Sequence, residues 1–344
     1  MFRAALLAGS LTIVAIVSWE IYLRHRFKDL KISYDDNSAL WADKRAMVYE
    51  PPDGTTVFIG TSRTKYDLDI PTWESETGNH AVQLGLVGQS DWDSFDDLAN
   101  DKEFKGKLIV DINYGNFFLR DPGDGQKVRA DIAYYRTITP TQRASFQINH
   151  VLESEFIFLN QDNFSINALL SKWNLPKRKD IWPGPVFPVE FTPVSFDRQS
   201  YFTPNFVKDT NLQNEVKKIW SGGDGPWIPP PLTEDSLQSV FKSAKADADK
   251  IRSRGGEVLF LRYPLSGPML ESDKKLFPRK LCWDRLLAIT GCPAINFEDY
   301  PAIAHFECLE WGHLSPDQAS VFTDNLIKIL RQEKGWSFKK NPNP

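Results

Sequence analysis

Apolar and polar positions follow two regimes along this chain. From Ala4 to Leu23 the sequence AALLAGSLTIVAIVSWEIYL is apolar on every side, interrupted only by Ser, Thr and Glu20. About 20 residues at ~1.5 Å rise cross the ~30 Å hydrocarbon core of a bilayer. Trp19 and Tyr22 stand where interfacial aromatics are expected. A cleaved signal peptide shares Arg3 and a short apolar run, but bulky residues follow and no small-x-small cleavage site is evident. A buried helix of a globular core would show a polar face. The pattern predicts an uncleaved membrane anchor over residues 1–30.

The second regime is shorter and punctuated. TTVFIG (Thr55–Gly60), AVQL (Ala81–Leu84), KLIVDIN (Lys107–Asn113), EVLFLRY (Glu257–Tyr263) and AINF (Ala294–Phe297) read as buried strands. Between them lie helical patterns. One runs from an N-cap at Ser90 to about Phe104, with Trp92, Phe95, Leu98 and Ala99 on one face. Another spans Thr233–Arg254 and stops at Gly255-Gly256, and a third spans about Pro278–Thr290. The last starts at Ser315, with Pro316 in the first turn and Gln318 completing a capping box. Strands alternating with helices predict an α/β domain over 50–344, its parallel sheet covered on both faces. Between about 117 and 231 the pattern lapses into Pro-rich, aromatic-rich sequence, including Pro183, Pro185, Pro188 and Pro229-Pro230-Pro231. A structureless loop of that length is improbable in a compact domain. The expectation is an insertion of short helices over the strand ends, and a loose tail from Lys339 to Pro344.

Composition narrows the class. A net charge of −4 with no long Lys/Arg run argues against nucleic-acid binding. Cys282, Cys292 and Cys308 form neither a disulfide framework nor a zinc spacing, and no metal or organic cofactor is implied. Cys308 reads as structural. Arg24, Arg26, Lys28 and Lys31 after the apolar run, against Arg3 before it, favour a cytoplasmic domain by charge alone.

Four segments carry unusual residues and fall where the carboxyl ends of parallel strands meet ligands. They are Gly60-Thr61-Ser62-Arg63, Gly85-Leu86-Val87-Gly88-Gln89-Ser90, Asn113-Tyr114-Gly115-Asn116, and Glu310-Trp311-Gly312-His313 before the last helix. Each alone is an ordinary turn or cap. Their convergence on one sheet edge in one chain order points to chemistry.

This order of blocks resembles the SGNH (GDSL-type) serine hydrolases, over roughly 55–116 and 254–330. The resemblance implies a flavodoxin-like α/β/α sandwich and acyl transfer through a serine ester. It assigns Ser62 as nucleophile and His313 as general base. The backbone N–H groups of Ser62 and Gly88 become oxyanion donors, joined by the side chain of Asn113 or Asn116. Where the family has Asp three residues before His, this chain has Glu310, with Glu307 a second candidate. The third block also departs from the family's Gly-x-Asn-Asp. These departures leave a non-catalytic assembly subunit as an alternative to an enzyme.

Arg63 and Lys65 follow the nucleophile and are candidates to hold a substrate carboxylate or phosphate, or else are solvated charges. Trp173, Trp182, Trp220 and Trp227 are candidates to stack on sugar rings or contact lipid. An SGNH domain behind one membrane helix resembles envelope proteins that move acyl groups on glycans beside a multispanning acyltransferase. That implies a membrane-bound, extracytoplasmic esterase or O-acyltransferase acting on an acylated glycan or related ester. A lipase or thioesterase of the same family is the competing enzyme.

Overall fold

Five strands form one parallel sheet: β1 (Thr55–Ile59), β2 (His80–Gln83), β3 (Lys107–Asp111), β4 (Glu257–Arg262) and β5 (Ala294–Asn296). Their order is β2-β1-β3-β4-β5, that of doubly wound flavodoxin-like sheets. The computed structural model describes all residues except 1, 29, 31, 121–124, 172, 174–185, 192, 223–230 and 340–344. Trp182, Pro183, Pro185, Trp227, Pro229, Pro230 and nearly all of the expected C-terminal tail lie outside the described residues.

Before the sheet come α1 (Phe2–Arg26) and α2 (Ser38–Ala46). Between β1 and β3 lie α3 (Ser62–Asp67), α4 (Ile70–Thr77) and α5 (Trp92–Asn100). After β3 follow α6 (Tyr114–Leu119), α7 (Gln126–Thr137), α8 (Pro140–Glu155), α9 (Gln161–Phe164), α10 (Ile166–Ser171), α11 (Pro204–Lys208), α12 (Thr210–Trp220) and α13 (Glu234–Ser253). Then come α14 (Gly267–Leu276), α15 (Trp283–Thr290) and α16 (Pro316–Glu333).

Side-chain alternation along the strands builds two cores. Val57, Ile59, Leu108, Val110, Val258 and Phe260 face Phe95, Phe241 and Trp283 from α5, α13 and α15. Phe58, Ile109, Leu259, Leu261 and Ile295 face Trp73 of α4 and Phe322, Leu326 and Leu330 of α16. Burial on both faces explains why the strands read as continuous apolar runs. The α16 capping box is present: Ser315 Oγ accepts from Gln318 N at 3.3 Å, and Gln318 Oε1 accepts from Ser315 N at 3.2 Å.

Several boundaries differ from the sequence expectation. The α5 helix is preceded by Asp91, since Ser90 Oγ donates to the Asn116 carbonyl at 3.2 Å and lies 3.5 Å from Trp92 N, and it ends at Asn100. Residues 278–282 form turns, so α15 begins only at Trp283. The α14 helix has no buried residue and so has no apolar stripe to announce it. The domain's packing also starts before residue 50, since Leu40 and Trp41 of α2 are buried and Trp41 Nε1 donates to the Leu84 carbonyl at 3.1 Å.

The α1 helix is long and apolar enough to cross a membrane. Its Leu7, Leu11, Val14 and Ile21 are all exposed.

Candidate active site

The chain leaves β1 through Gly60, whose φ of +156° brings the backbone against β3. A Cβ there would lie 2.4 Å from that of Asp111 and 2.1 Å from Thr64 Oγ1, so only glycine fits. Thr61 then caps α3. Its hydroxyl donates to Asp111 Oδ2 at 2.9 Å and accepts from Asn113 Nδ2 at 3.3 Å. Ser62, the first residue of α3, therefore sits between the ends of β1 and β3, where the strand order reverses. In open α/β sheets that crevice is the ligand site.

His313 arrives from the opposite side on a constrained loop. Trp311 adopts a φ of +78°, rare for a bulky residue, and a Cβ on Gly312 would lie 3.2 Å from Glu310 Oε2. The next residue is pinned as well: Leu314 N donates to Asp67 Oδ1 at 2.8 Å. One short helix, α3, thus carries the serine at its start and the anchor of the histidine loop at its end.

The result is a continuous relay. His313 Nε2 lies 2.8 Å from Ser62 Oγ, and His313 Nδ1 lies 2.6 Å from Glu310 Oε1. Glu310 is fully buried, and its other oxygen accepts the indole N–H of Trp220 from α12. Glu307, the other candidate acid, is exposed. The longer Glu side chain therefore reaches the imidazole from the position three residues earlier.

Aromatic rings wall the histidine. Tyr66 lies tilted against it at 4.6 Å between centroids, with Phe191 at 5.7 Å and Phe202 at 6.3 Å. Phe191, Phe202 and Phe206 come from the insertion and form a small cluster with Tyr66 and Val216. Desolvation by these rings strengthens the electrostatic contacts inside.

Of the expected oxyanion donors, Asn113 has its side-chain amide on Thr61, next to Ser62, and Asn116 accepts the Ser90 hydroxyl at its backbone carbonyl. Gly88 lies in the turn after β2 with φ of +66°, and a Cβ there would meet nothing within 4 Å. Its glycine serves conformation, not crowding.

Neither of the two cations after Ser62 is a solvated surface charge. Lys65 is buried in an ion pair with Asp36, and burial pulls its ammonium down to about 8. Asp36 is half-buried; desolvation pushes its carboxyl up, but Arg198 and Lys65 outweigh it and hold the group far below the usual range. Arg63 is 8% exposed, with its guanidinium 3.8 Å from Met269 Sδ and no carboxylate within ion-pair distance among the described residues. Burial raises the carboxyls of Asp67 and Asp111, and the Arg63 charge opposes both shifts.

Cys308 is buried, its thiol pushed up by burial and directed at the Pro264 carbonyl, which suits packing and not nucleophilic attack. Sequence reasoning missed Asp67 and Arg198, and it gave Trp220 a different role. No local pattern marks any of them, since each acts on partners far away in the chain. No protein-family profile and no curated protein sequence matches this chain.

Proposed function

We propose that the chain is a membrane-anchored serine esterase or O-acyltransferase of the SGNH type, acting on an acylated envelope glycan or related ester. One observation carries this reading: Ser62 Oγ, His313 and Glu310 stand in sequential hydrogen-bond contact at 2.8 and 2.6 Å. A serine hydroxyl becomes a useful nucleophile when an imidazole takes its proton, and a carboxylate on Nδ1 sets the tautomer. The strand order and the four sheet-edge segments support the SGNH assignment.

In the proposed reaction Ser62 Oγ attacks the ester carbonyl as His313 Nε2 removes its proton. The N–H groups of Ser62 and Gly88 and the Asn113 amide stabilise the oxyanion, each worth roughly 3 kcal/mol. The intermediate collapses with His313 protonating the departing alcohol. Water or a second alcohol then attacks the acyl-serine, its proton passing to His313, and Ser62 is released. The first acceptor makes the protein an esterase, the second a transferase.

The setting belongs to the same proposal. The α1 helix is retained as the anchor, the domain is extracytoplasmic, and a multispanning acyltransferase supplies or receives the acyl group. The buried contacts that Glu20 of α1 makes with the domain favour retention over cleavage.

The test is labelling of the detergent-solubilised chain by a fluorophosphonate probe, beside Ser62→Ala and His313→Ala. Labelling of the wild type that both substitutions abolish is expected. A folded wild type that resists the probe overturns the enzymatic reading in favour of an assembly subunit. A screen of acetyl against long-chain esters then separates this substrate class from a lipase or thioesterase.

A further inference from the structure

The α8 helix has no buried residue, yet it carries an apolar stripe. Ile148, Val151 and Leu152 are 62%, 51% and 40% exposed, and their spacing places them on one helix face. The α10 helix adds Ile166, Leu169 and Leu170, which are 76%, 48% and 41% exposed. Clustered apolar side chains of this kind on a water-facing surface mark a contact site.

The end of α8 and the short α9 that leads into α10 meet the exit of α1. Arg24 donates to the carbonyl of Glu155, the last residue of α8, and Phe27 packs edge-on against Phe164 of α9 with centroids 5.5 Å apart. Between these contacts, Glu20 accepts the backbone N–H groups of Ile157 at 3.0 Å and Phe158 at 3.2 Å. A carboxylate of α1 thus satisfies the first donors of the 3-10 turn joining α8 to α9. Trp19 and Tyr22, on the same turn of α1, stack at 5.5 Å and stay half exposed. Paired aromatics at that height mark the boundary between acyl chains and headgroups.

We propose that α8 and α10 form a collar in the membrane interface, their apolar faces covered by phospholipid around the exit of α1. The proposal rests on the reading of α1 as a retained anchor. Its occupant follows from continuity: the end of α8 and the α9 segment leading into α10 are held against α1 at Glu20, Arg24 and Phe27, next to its aromatic pair. Amphipathic helices lie in this plane with their apolar faces within the acyl boundary. Through Glu20 and the collar, the domain is held at a fixed height and tilt and does not swing on a tether.

The test uses the full chain in phosphatidylcholine–phosphatidylglycerol vesicles, with a nitrobenzoxadiazole label at Ile148→Cys, Leu152→Cys or Leu169→Cys. Cys282, Cys292 and Cys308 are buried, so the introduced thiols label selectively. Glu271→Cys on exposed α14 is the aqueous reference and Val14→Cys the reference for α1. Collar labels are expected to show blue-shifted emission, quenching by doxyl lipids and loss of iodide quenching relative to position 271. Iodide quenching equal to that at 271, with position 14 quenched by lipid, overturns the collar and leaves the anchor standing. Position 14 escaping lipid quenching overturns the anchor, and the collar with it. Protection from both quenchers shows copy-on-copy contact and also overturns the proposal.

Discussion

Trp220 donates its indole N–H to Glu310 Oε2, the carboxylate oxygen that His313 does not use. A fully buried carboxylate needs donors at both oxygens, because an unpaired one carries a desolvation penalty. Among the described residues, the sheet edge supplies the imidazole alone. The second donor comes from the last residue of α12, backed by Phe187 at 5.2 Å between rings. The insertion therefore completes the relay and does not merely decorate it.

Trp220→Phe keeps an aromatic ring against Phe187 and removes the donor. Hydrogen bonds to charged groups contribute roughly 1.5–3 kcal/mol, so kcat for ester turnover is expected to fall about 10- to 100-fold. KM should hardly change, because the indole acts on Glu310 and not on substrate. Steady-state kinetics with p-nitrophenyl acetate, beside a melting curve, provide the check. Unchanged kcat with a lowered Tm would reduce Trp220 to a packing residue.

Glu310→Gln tests the carboxylate itself. An amide facing His313 Nδ1 presents either an oxygen without the charge or an N–H that forces the wrong tautomer. Loss of a tautomer-setting carboxylate in serine hydrolases lowers kcat on the order of 10⁴-fold, and a fall of that order is expected in both ester turnover and the rate of phosphonate labelling. A drop of less than ~10-fold would show that Glu310 does not orient the imidazole.

Much of this architecture is legible in the sequence, and for a physical reason. Strands buried on both faces are written as contiguous apolar runs, and the α16 capping box is a local motif of Ser315 and Gln318. The relay residues are legible because Glu310 and His313 are three apart and Ser62 follows a strand. What the sequence hides is long-range. Trp220 lies 90 residues from Glu310, and Arg198 lies 162 from Asp36. Burial also reverses the reading of Lys65: a Lys three residues after Ser62 looks solvated until the fold pairs it with Asp36. The α14 helix escaped detection because it has no apolar stripe.

Arg198 fastens the insertion to the sheet. It is fully buried, bonds Asp36 Oδ1 at 2.6 Å, and donates to the carbonyls of Gln83 at 2.7 Å and Gly85 at 3.1 Å. Arg198→Met leaves the Gln83 and Gly85 carbonyls without their donor and Asp36 with Lys65 as its remaining ion-pair partner among the described residues. Breaking a buried pair from one side costs about 3–5 kcal/mol. At roughly 2–4 °C per kcal/mol for a domain of this size, Tm should fall by about 10 °C. A thermal melt of the solubilised chain decides it; a shift under ~2 °C would show that Arg198 is dispensable.

Asp67 gives a pH dependence of defined sign. Its Oδ1 accepts Leu314 N, its Oδ2 is buried without a partner, and burial raises its carboxyl well above the ordinary value. The unfolded chain releases that proton near pH ~3.9. Above that pH the folded state binds more protons than the unfolded state, so this group makes stability fall as pH rises, up to its folded-state pKa. Asp67→Asn has no proton to lose and keeps an acceptor for Leu314 N, so the histidine loop stays in place. The variant should gain on the wild type as pH climbs from ~4 toward neutrality, with phosphonate labelling unchanged. The contribution of Asp91, also raised by burial, cancels in the difference. Urea midpoints of both proteins at acidic and neutral pH, in one detergent, measure the gap. A gap that does not change with pH would mean that Asp67 is ionised in the folded protein.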